Sequence, residues 1–374
     1  MKLREYQAKS VFSDYGIAIP RGRIAKTPEE AADAARKLGK AAVLKPQLGV
    51  KGRGKAGGIA FTNSPDEAFE QSMRLFGMSI KGERIRTLLV EEKLFISDEW
   101  YIAVTIDYAK RCPVMIASLE GGVEIEETAR HRPESIFKLP VNILKGPASK
   151  DLAPVASQMG EDTARCLETL YRIFREYECE LVEINPLVRT AEGSLIAADA
   201  VLNVNEEALF RHENLIALKK QIPVEDPIAE EAAQKSWTYI DLEGNIGVLS
   251  SGAGLTMAIL DLMHRAGGTP ANFLDTAQID DEGIYEAFDL LSRAKPMRVL
   301  LVNMFAGLNR CDELAMGIKR YLADHPTDTP IVVRMIGNLE EEGHQILKGL
   351  GILPFKKLED AIQRAVELSQ KRKT

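Results

Sequence analysis

The four cysteines (Cys112, Cys166, Cys179 and Cys311) are scattered, and no two stand in a Cys-x-x-Cys pair. That argues against both a zinc site and a disulfide framework. Histidine is scarce as well: the five (His131, His212, His264, His325 and His344) are dispersed, and none lies in a glycine-rich strand-to-helix loop. No apolar run reaches the ~18 residues a spanning helix needs. The opening Met1-Lys-Leu-Arg-Glu-Tyr-Gln lacks the apolar stretch of a signal peptide, so the cytoplasm, or an organelle interior after cleavage, is the expected compartment. Positive charge is in deficit, with a net charge of −7, which argues against nonspecific nucleic-acid binding. The basic tail Lys371-Arg-Lys373 reads as the solvated end of a helix. The complete G-x-x-x-x-G-K-[ST] signature is absent, excluding a Walker A site.

What is present is an ordinary globular composition, 45% hydrophobic and 28% charged. At 374 residues it is enough for two or three domains. Thr27-Pro-Glu-Glu30 and Ser64-Pro-Asp-Glu67 are capping boxes with proline at the first helical position, and Gly39 and Gly77 close those helices. Ala41 to Pro46 reads as a buried strand, as do Gly58 to Thr62 and Thr87 to Glu92. Trp100 to Asp107 and Pro113 to Ser118 form a hairpin, and a helix from about Gly160 to Tyr177 leads into the strand carrying Glu183. The stretch from Phe210 to Trp237 is charged and helical, interrupted by Pro223 and Pro227, and reads as a linker. Beyond it, strands at 246–250, 272–274, 299–303, 331–334 and 353–355 alternate with helices. That rhythm implies a parallel sheet covered on both faces, in a flavodoxin-like domain.

Three features point to chemistry. Gly49-Val-Lys-Gly-Arg-Gly-Lys-Ala-Gly-Gly58 is a basic glycine-rich loop. Its glycines let backbone N–H groups approach phosphate oxygens, while Lys51, Arg53 and Lys55 add charge and Lys45 stands on the preceding strand. Glu183, Asn185 and Asp199 offer oxygen ligands across one turn of a hairpin, a set that suits Mg²⁺ when substrate phosphates and water complete it. Ser250-Ser-Gly-Ala-Gly254 and Phe305-Ala-Gly-Leu-Asn-Arg-Cys-Asp312 each join a strand to a helix whose N-terminus favours an anion. The first has no third glycine for a dinucleotide fingerprint, and Cys311 reads as a packed helical residue. Glu91 and Glu99 flank a segment suited to a base and a ribose.

Ordered along the chain, Glu5-Tyr-Gln-Ala-Lys9, Gly52-Arg-Gly-Lys-Ala-Gly-Gly58, Glu120-Gly-Gly-Val-Glu-Ile-Glu126, Glu183-Ile-Asn-Pro-Leu187, Ala208-Leu-Phe-Arg211, Gly252-Ala-Gly-Leu255, Pro270-Ala-Asn-Phe-Leu-Asp275 and Asn309-Arg-Cys-Asp312 resemble the β subunits of succinyl-CoA synthetase. The resemblance implies an α/β chain with an ATP-grasp region over residues 1–235 and a flavodoxin-like doubly wound ligase domain over 236–374. It implies that Lys45, Gly52, Arg53 and Gly54 contact ATP phosphates, that Glu91, Leu94 and Glu99 border the adenosine, and that Asn185 and Asp199 hold Mg²⁺. Ser251, Gly307, Leu308 and Asn309 would line the acyl-phosphate site. No catalytic residue is expected in this chain. The phosphohistidine and most coenzyme A contacts would belong to an α subunit, making a hetero-oligomeric, ADP-forming acyl-CoA synthetase that joins succinate or a related small dicarboxylate to coenzyme A.

Three departures from the family pattern fall around the acyl site, and a fourth lies in the glycine-rich loop. Ser251 stands where the family has asparagine, and Asp275-Thr-Ala-Gln-Ile279 replaces a glycine-rich loop. Phe305-Ala-Gly-Leu308 replaces Phe-Gly-Gly-Ile, nearer the malate–CoA ligase subunits, and Gly49-Val-Lys-Gly52 replaces His-Ala-Gly-Gly. The ligase-domain changes predict a preference for a dicarboxylate other than unsubstituted succinate. Malate or citrate ligation, or a diverged non-catalytic nucleotide-binding regulatory subunit, are the alternatives.

Overall fold

The computed structural model describes residues 1–50, 52–123, 125–222 and 226–370, so Lys51, Glu124, Pro223 and the basic tail lie outside the described residues. The chain divides into two compact units, Met1–Pro223 and Val224–Thr374. Among the described residues no helix is long and apolar enough to cross a membrane.

The first unit is built on two antiparallel sheets. The smaller runs in the order Gly22–Ala25, Leu88–Glu92, Ala42–Pro46, Ala60–Thr62. Helices Pro28–Leu38 and Pro65–Phe76 start as the capping boxes require: Thr27 accepts from the Glu30 N–H and Ser64 from the Glu67 N–H, both at 3.2 Å. Their alanine and leucine faces pack with Leu44, Leu88 and Val90 into one core. The larger sheet runs Leu195–Ala197, Cys179–Thr190, Ile96–Asp107, Cys112–Ser118, Ile136–Pro140, with Val201–Val204 also paired to Cys179–Thr190. Helix Glu161–Glu176 lays Leu167, Leu170, Ile173 and Phe174, one apolar stripe at helical spacing, against Ile102, Val104, Met115, Val182 and Ile184. Helix Ser149–Met159 escapes a sequence reading because Pro154 sits inside it.

The second unit holds the order Thr238–Asp241, Asn272–Asp275, Ile246–Ser250, Val299–Ala306, Ile331–Gly337, Pro354–Phe355. Numbered along the five parallel strands this is 2-1-3-4-5, the flavodoxin-like winding. Alternate strand residues serve opposite faces. Ile246, Val248, Val299 and Leu301 meet the helices Ala253–Arg265 and Leu358–Gln370. Leu249, Leu300 and Val302 meet Asp281–Ala294 and Cys311–Asp324. Burial on both sides is why these strands read as continuous apolar runs. The sheet differs from the all-parallel expectation at one edge: Thr238–Asp241 pairs antiparallel with Asn272–Asp275. Its residues Thr238, Ile240 and Asp241 are exposed, so the segment carries no buried-strand signal.

Candidate functional site

Local geometry assembles the site in the first unit. Strand Cys179–Thr190 shifts register against Ile96–Asp107 between Ile184 and Leu187, so Asn185 and Pro186 stand out of the ladder. The turn that follows Leu195–Ala197 folds back over this bulge, where the Ala198 N–H donates to the Pro186 carbonyl at 3.1 Å. Asp199 is thereby set beside Asn185. Gly122, at φ +72°, donates its N–H to Asn185 Oδ1 at 2.7 Å, and a Cβ there would lie 2.6 Å from Glu99 Oε2. Asn185 Nδ2 donates to the Val123 carbonyl at 2.9 Å.

A cavity of about 610 Å³ opens over these residues, lined by Gly52, Arg53, Gly54 and Lys55 of the glycine-rich loop and by Glu183, Asn185 and Asp199 of the hairpin. The loop closes on itself, Gly58 N–H to Arg53 carbonyl at 2.9 Å, with Gly52 at φ +86°. Tyr101 and Glu126 also line the cavity, and the Tyr101 hydroxyl donates to Glu183 Oε2 at 3.0 Å. Burial, with Glu183 beside it, pushes the Tyr101 phenol above its ordinary value. No histidine of the described residues lines this cavity.

Behind the loop lies a buried ion cluster. Lys9 Nζ reaches Glu5 Oε1 at 2.9 Å, the two Glu91 oxygens at 2.6 and 2.7 Å, and the Ala198 carbonyl at 2.8 Å. Lys45 Nζ meets the same three groups at 3.2, 2.9 and 2.6 Å. Arg53 spans the cluster and the cavity, 2.8 Å from Glu5 Oε2 and 3.3 Å from both Asp199 oxygens. Burial alone would raise the Glu5 carboxyl, but Lys45, Lys9 and Arg53 overcome it and hold it well below the usual range. Asp199 goes the other way: burial and then Glu5 push it up to about 6, although Arg53 and Lys45 pull it down. Its side chain is 31% exposed.

The structure therefore brings Gly52, Arg53, Gly54, Asn185 and Asp199 together around one cavity. Lys45 adjoins it through Glu5. Both carboxylate oxygens of Glu91 are engaged by lysines, while Leu94 is half-buried and Glu99 exposed on the segment that follows. Glu5 and Lys9 are the participants that residue-by-residue reading misses. Apart from the family motif they belong to, their local signal is an i,i+4 acid–base pair, which on most helices is a solvated surface pair.

Among the described residues no three His, Cys, Asp or Glu side chains converge as a metal site. A cation here would lean on substrate oxygens. The donor set present, one carboxylate and one amide oxygen beside a phosphate-suited loop, fits a hard cation of that kind. A carboxylate whose ionisation is opposed by burial and by Glu5 is also one that added positive charge would stabilise.

In the second unit, Ser251 follows the strand Ile246–Ser250, and Gly307, Leu308 and Asn309 follow Val299–Ala306. These neighbouring strands meet where the winding reverses, the edge at which open α/β sheets bind ligands. Ser251 Oγ accepts from the Phe305 N–H at 3.3 Å, and Asp275 Oδ1 accepts from Gly252 N–H at 2.6 Å and Ala277 N–H at 2.8 Å. Asn309 Nδ2 donates to the Ile279 carbonyl at 2.7 Å, which ties the two loops together, and Leu308 is 83% exposed. Cys311 is buried, and burial pushes its thiol up to about 11, which suits packing rather than nucleophilic chemistry.

A family model described as ATP-grasp domain matches residues 2–189, and one described as CoA-ligase matches residues 249–366. The ADP-forming succinate–CoA ligase subunit beta of Pyrobaculum aerophilum is 42% identical over 381 residues, 99% of this chain and 100% of the relative. Subunit beta 2 of the ADP-forming enzyme of Archaeoglobus fulgidus is 44% identical, covering 93% of this chain and 92% of its own length. The GDP-forming subunit beta of Thermus thermophilus is 39% identical, covering 93% and 94%. Among solved structures, an ATP citrate lyase from Methanothrix soehngenii in complex with citrate and coenzyme A superposes with TM-score 0.75 over 98% of this chain and 99% of its own, at 18% identity; this establishes the shared fold. The chain belongs to the family of succinate–CoA ligase β subunits, ATP- and coenzyme A-using ligases that form carbon–sulfur bonds.

Proposed function

We propose that this chain is the nucleotide-handling β subunit of an ADP-forming succinate–CoA ligase that works with an α subunit. The observation that carries the reading is the single cavity bringing the glycine-rich loop Gly52–Lys55 opposite Asn185 and Asp199. A polyphosphate needs donors and positive charge on one side and oxygen ligands for its cation on the other, and this cavity offers both. Arg53, Lys45 and the N–H groups of Gly52 and Gly54 take the phosphates, and the segment Glu91, Leu94 to Glu99 borders the adenosine. Asn185 and Asp199 would hold Mg²⁺, which when bound neutralises charge on the transferring phosphates.

Positioning and charge stabilisation are the work left to this chain. The γ-phosphoryl group passes to an imidazole nitrogen of the α subunit and ADP leaves. It then passes to the carboxylate, giving an acyl phosphate and freeing the imidazole. The thiol sulfur of coenzyme A attacks the acyl carbon, the thioester forms and phosphate departs. Ser251, Gly307, Leu308 and Asn309, at the reversal of the second sheet, line the acyl site. The 39–44% identical relatives are succinate–CoA ligase β subunits, which supports succinate over the other dicarboxylates that the altered loops suggested. Thioester formation by the chain reconstituted with its α subunit, compared across succinate, malate, citrate and itaconate, should be fastest with succinate. A malate or citrate optimum would assign the altered loops a new substrate, and no turnover with any acid would favour a regulatory subunit.

A further inference from the structure

Lys9 is fully buried, with 2% of its side chain exposed, and does not line the cavity. A lysine in that position costs desolvation energy unless its charge is used. Its contacts are all strong acceptors: Glu5, both oxygens of Glu91 and the Ala198 carbonyl. These are also the groups that Lys45 contacts, and Glu5 holds Arg53 through its second oxygen. The cluster balances three acids (Glu5, Glu91, Asp199) against three bases (Lys9, Lys45, Arg53). Without Lys9 the two inner carboxylates would draw the whole charge of Lys45 and Arg53 inward. The Ala198 carbonyl, one residue before Asp199, would also lose one of its two ammonium donors.

We propose that Lys9 is a positioning residue of the nucleotide site, neutralising Glu5 and Glu91 so that the charges of Lys45 and Arg53 remain available to phosphate oxygens. This rests on the nucleotide-site reading above. Lys9 itself touches no substrate. It acts through the charge of the cluster and through the backbone that carries Asp199.

Calorimetric titration of the full chain with Mg–ATP and with inorganic tripolyphosphate tests it, alongside thermal melts that report folding. Lys9→Met should weaken tripolyphosphate binding about tenfold or more, because one positive charge is lost from a low-dielectric cluster. Lys9→Met combined with Glu5→Gln restores the charge balance and should recover most of that loss. Lys9→Arg, which keeps charge but changes shape, should stay within about threefold of wild type. A merely structural lysine predicts the opposite order, with the double variant weakest. Lys9→Met binding as wild type does, or a folded double variant binding more weakly than the single one, overturns the proposal while leaving the nucleotide site intact. Should Lys9→Met not fold, the double and arginine variants decide: both must bind, and failure of either while folded refutes it. Absence of binding by the wild type would remove the nucleotide site itself, and this role with it.

Discussion

Asp199→Asn should make the ligand-free chain more stable while crippling it as an enzyme. The Asp199 carboxyl rises from an ordinary 3.8 to about 6, because burial and Glu5 oppose its ionisation more than Arg53 and Lys45 favour it. At 1.36 kcal/mol per pKa unit, this places the ionised form at most about 3 kcal/mol above its solvated cost. The 31% exposure of the side chain and the 3.3 Å contacts to Arg53 that asparagine weakens reduce the expected gain to about 1–2 kcal/mol. The sign follows from proton binding: between about pH 4 and pH 6 the folded state holds a proton that the unfolded state has released, so stability falls as pH rises. Above about pH 6 both states are ionised and the penalty is constant. Asparagine removes it. Melts in chelator without nucleotide should therefore show the variant gaining on wild type from about pH 4 to pH 6 and keeping a lead of about 2–6 °C above that. Added Mg–ATP should raise the wild-type midpoint and leave the variant's nearly unmoved. A variant less stable than wild type at about pH 7.5, or a difference that ignores pH, refutes the electrostatic account of this carboxylate.

Glu5 predicts the opposite pH window. Its carboxyl is held low against burial by Lys45, Lys9 and Arg53, so its stabilisation is present above the ordinary carboxylate value and lost as pH falls through its folded value. Acid unfolding followed by circular dichroism should be shallower in Glu5→Gln than in wild type. Gly122→Ala forces a side chain into φ +72° and brings its Cβ to 2.6 Å from the Glu99 carboxylate, which can swing aside. A cost of about 1 kcal/mol in stability with a larger loss of Mg–ATP affinity is expected, since the Gly122 N–H orients Asn185. Equal affinity in that variant would separate Gly122 from the site.

Much of the fold is legible in the sequence because local and long-range signals agree. Thr27 and Ser64 cap where their spacing says they should, and the alternating βα rhythm after residue 245 becomes a 2-1-3-4-5 sheet. Elements escape a sequence reading where the local signal is weak or contradictory. The edge strand Thr238–Asp241 is short and mostly exposed, and helix Ser149–Met159 contains a proline. The site is legible only in part. Asn185 and Asp199 lie within one hairpin, so sequence distance approximates spatial distance. Glu5 and Lys9 on helix Glu5–Asp14 meet Glu91 on strand Leu88–Glu92 through side-chain ion pairs that no local pattern encodes. Nor can spacing say that the Asn309 amide ties one loop to the Ile279 carbonyl of another.

A chain that supplies only the nucleotide site must receive the phosphoryl carrier in trans. Incubating the purified chain with Mg–ATP labelled in the γ-phosphoryl group, alone and after adding the α subunit, tests it directly. The isolated chain should bind nucleotide, form no thioester and retain no covalent label, and acid-labile, base-stable label should appear only after the α subunit is added, on that subunit. Label on His131 or another histidine of the isolated chain, with thioester formed unaided, would contradict it.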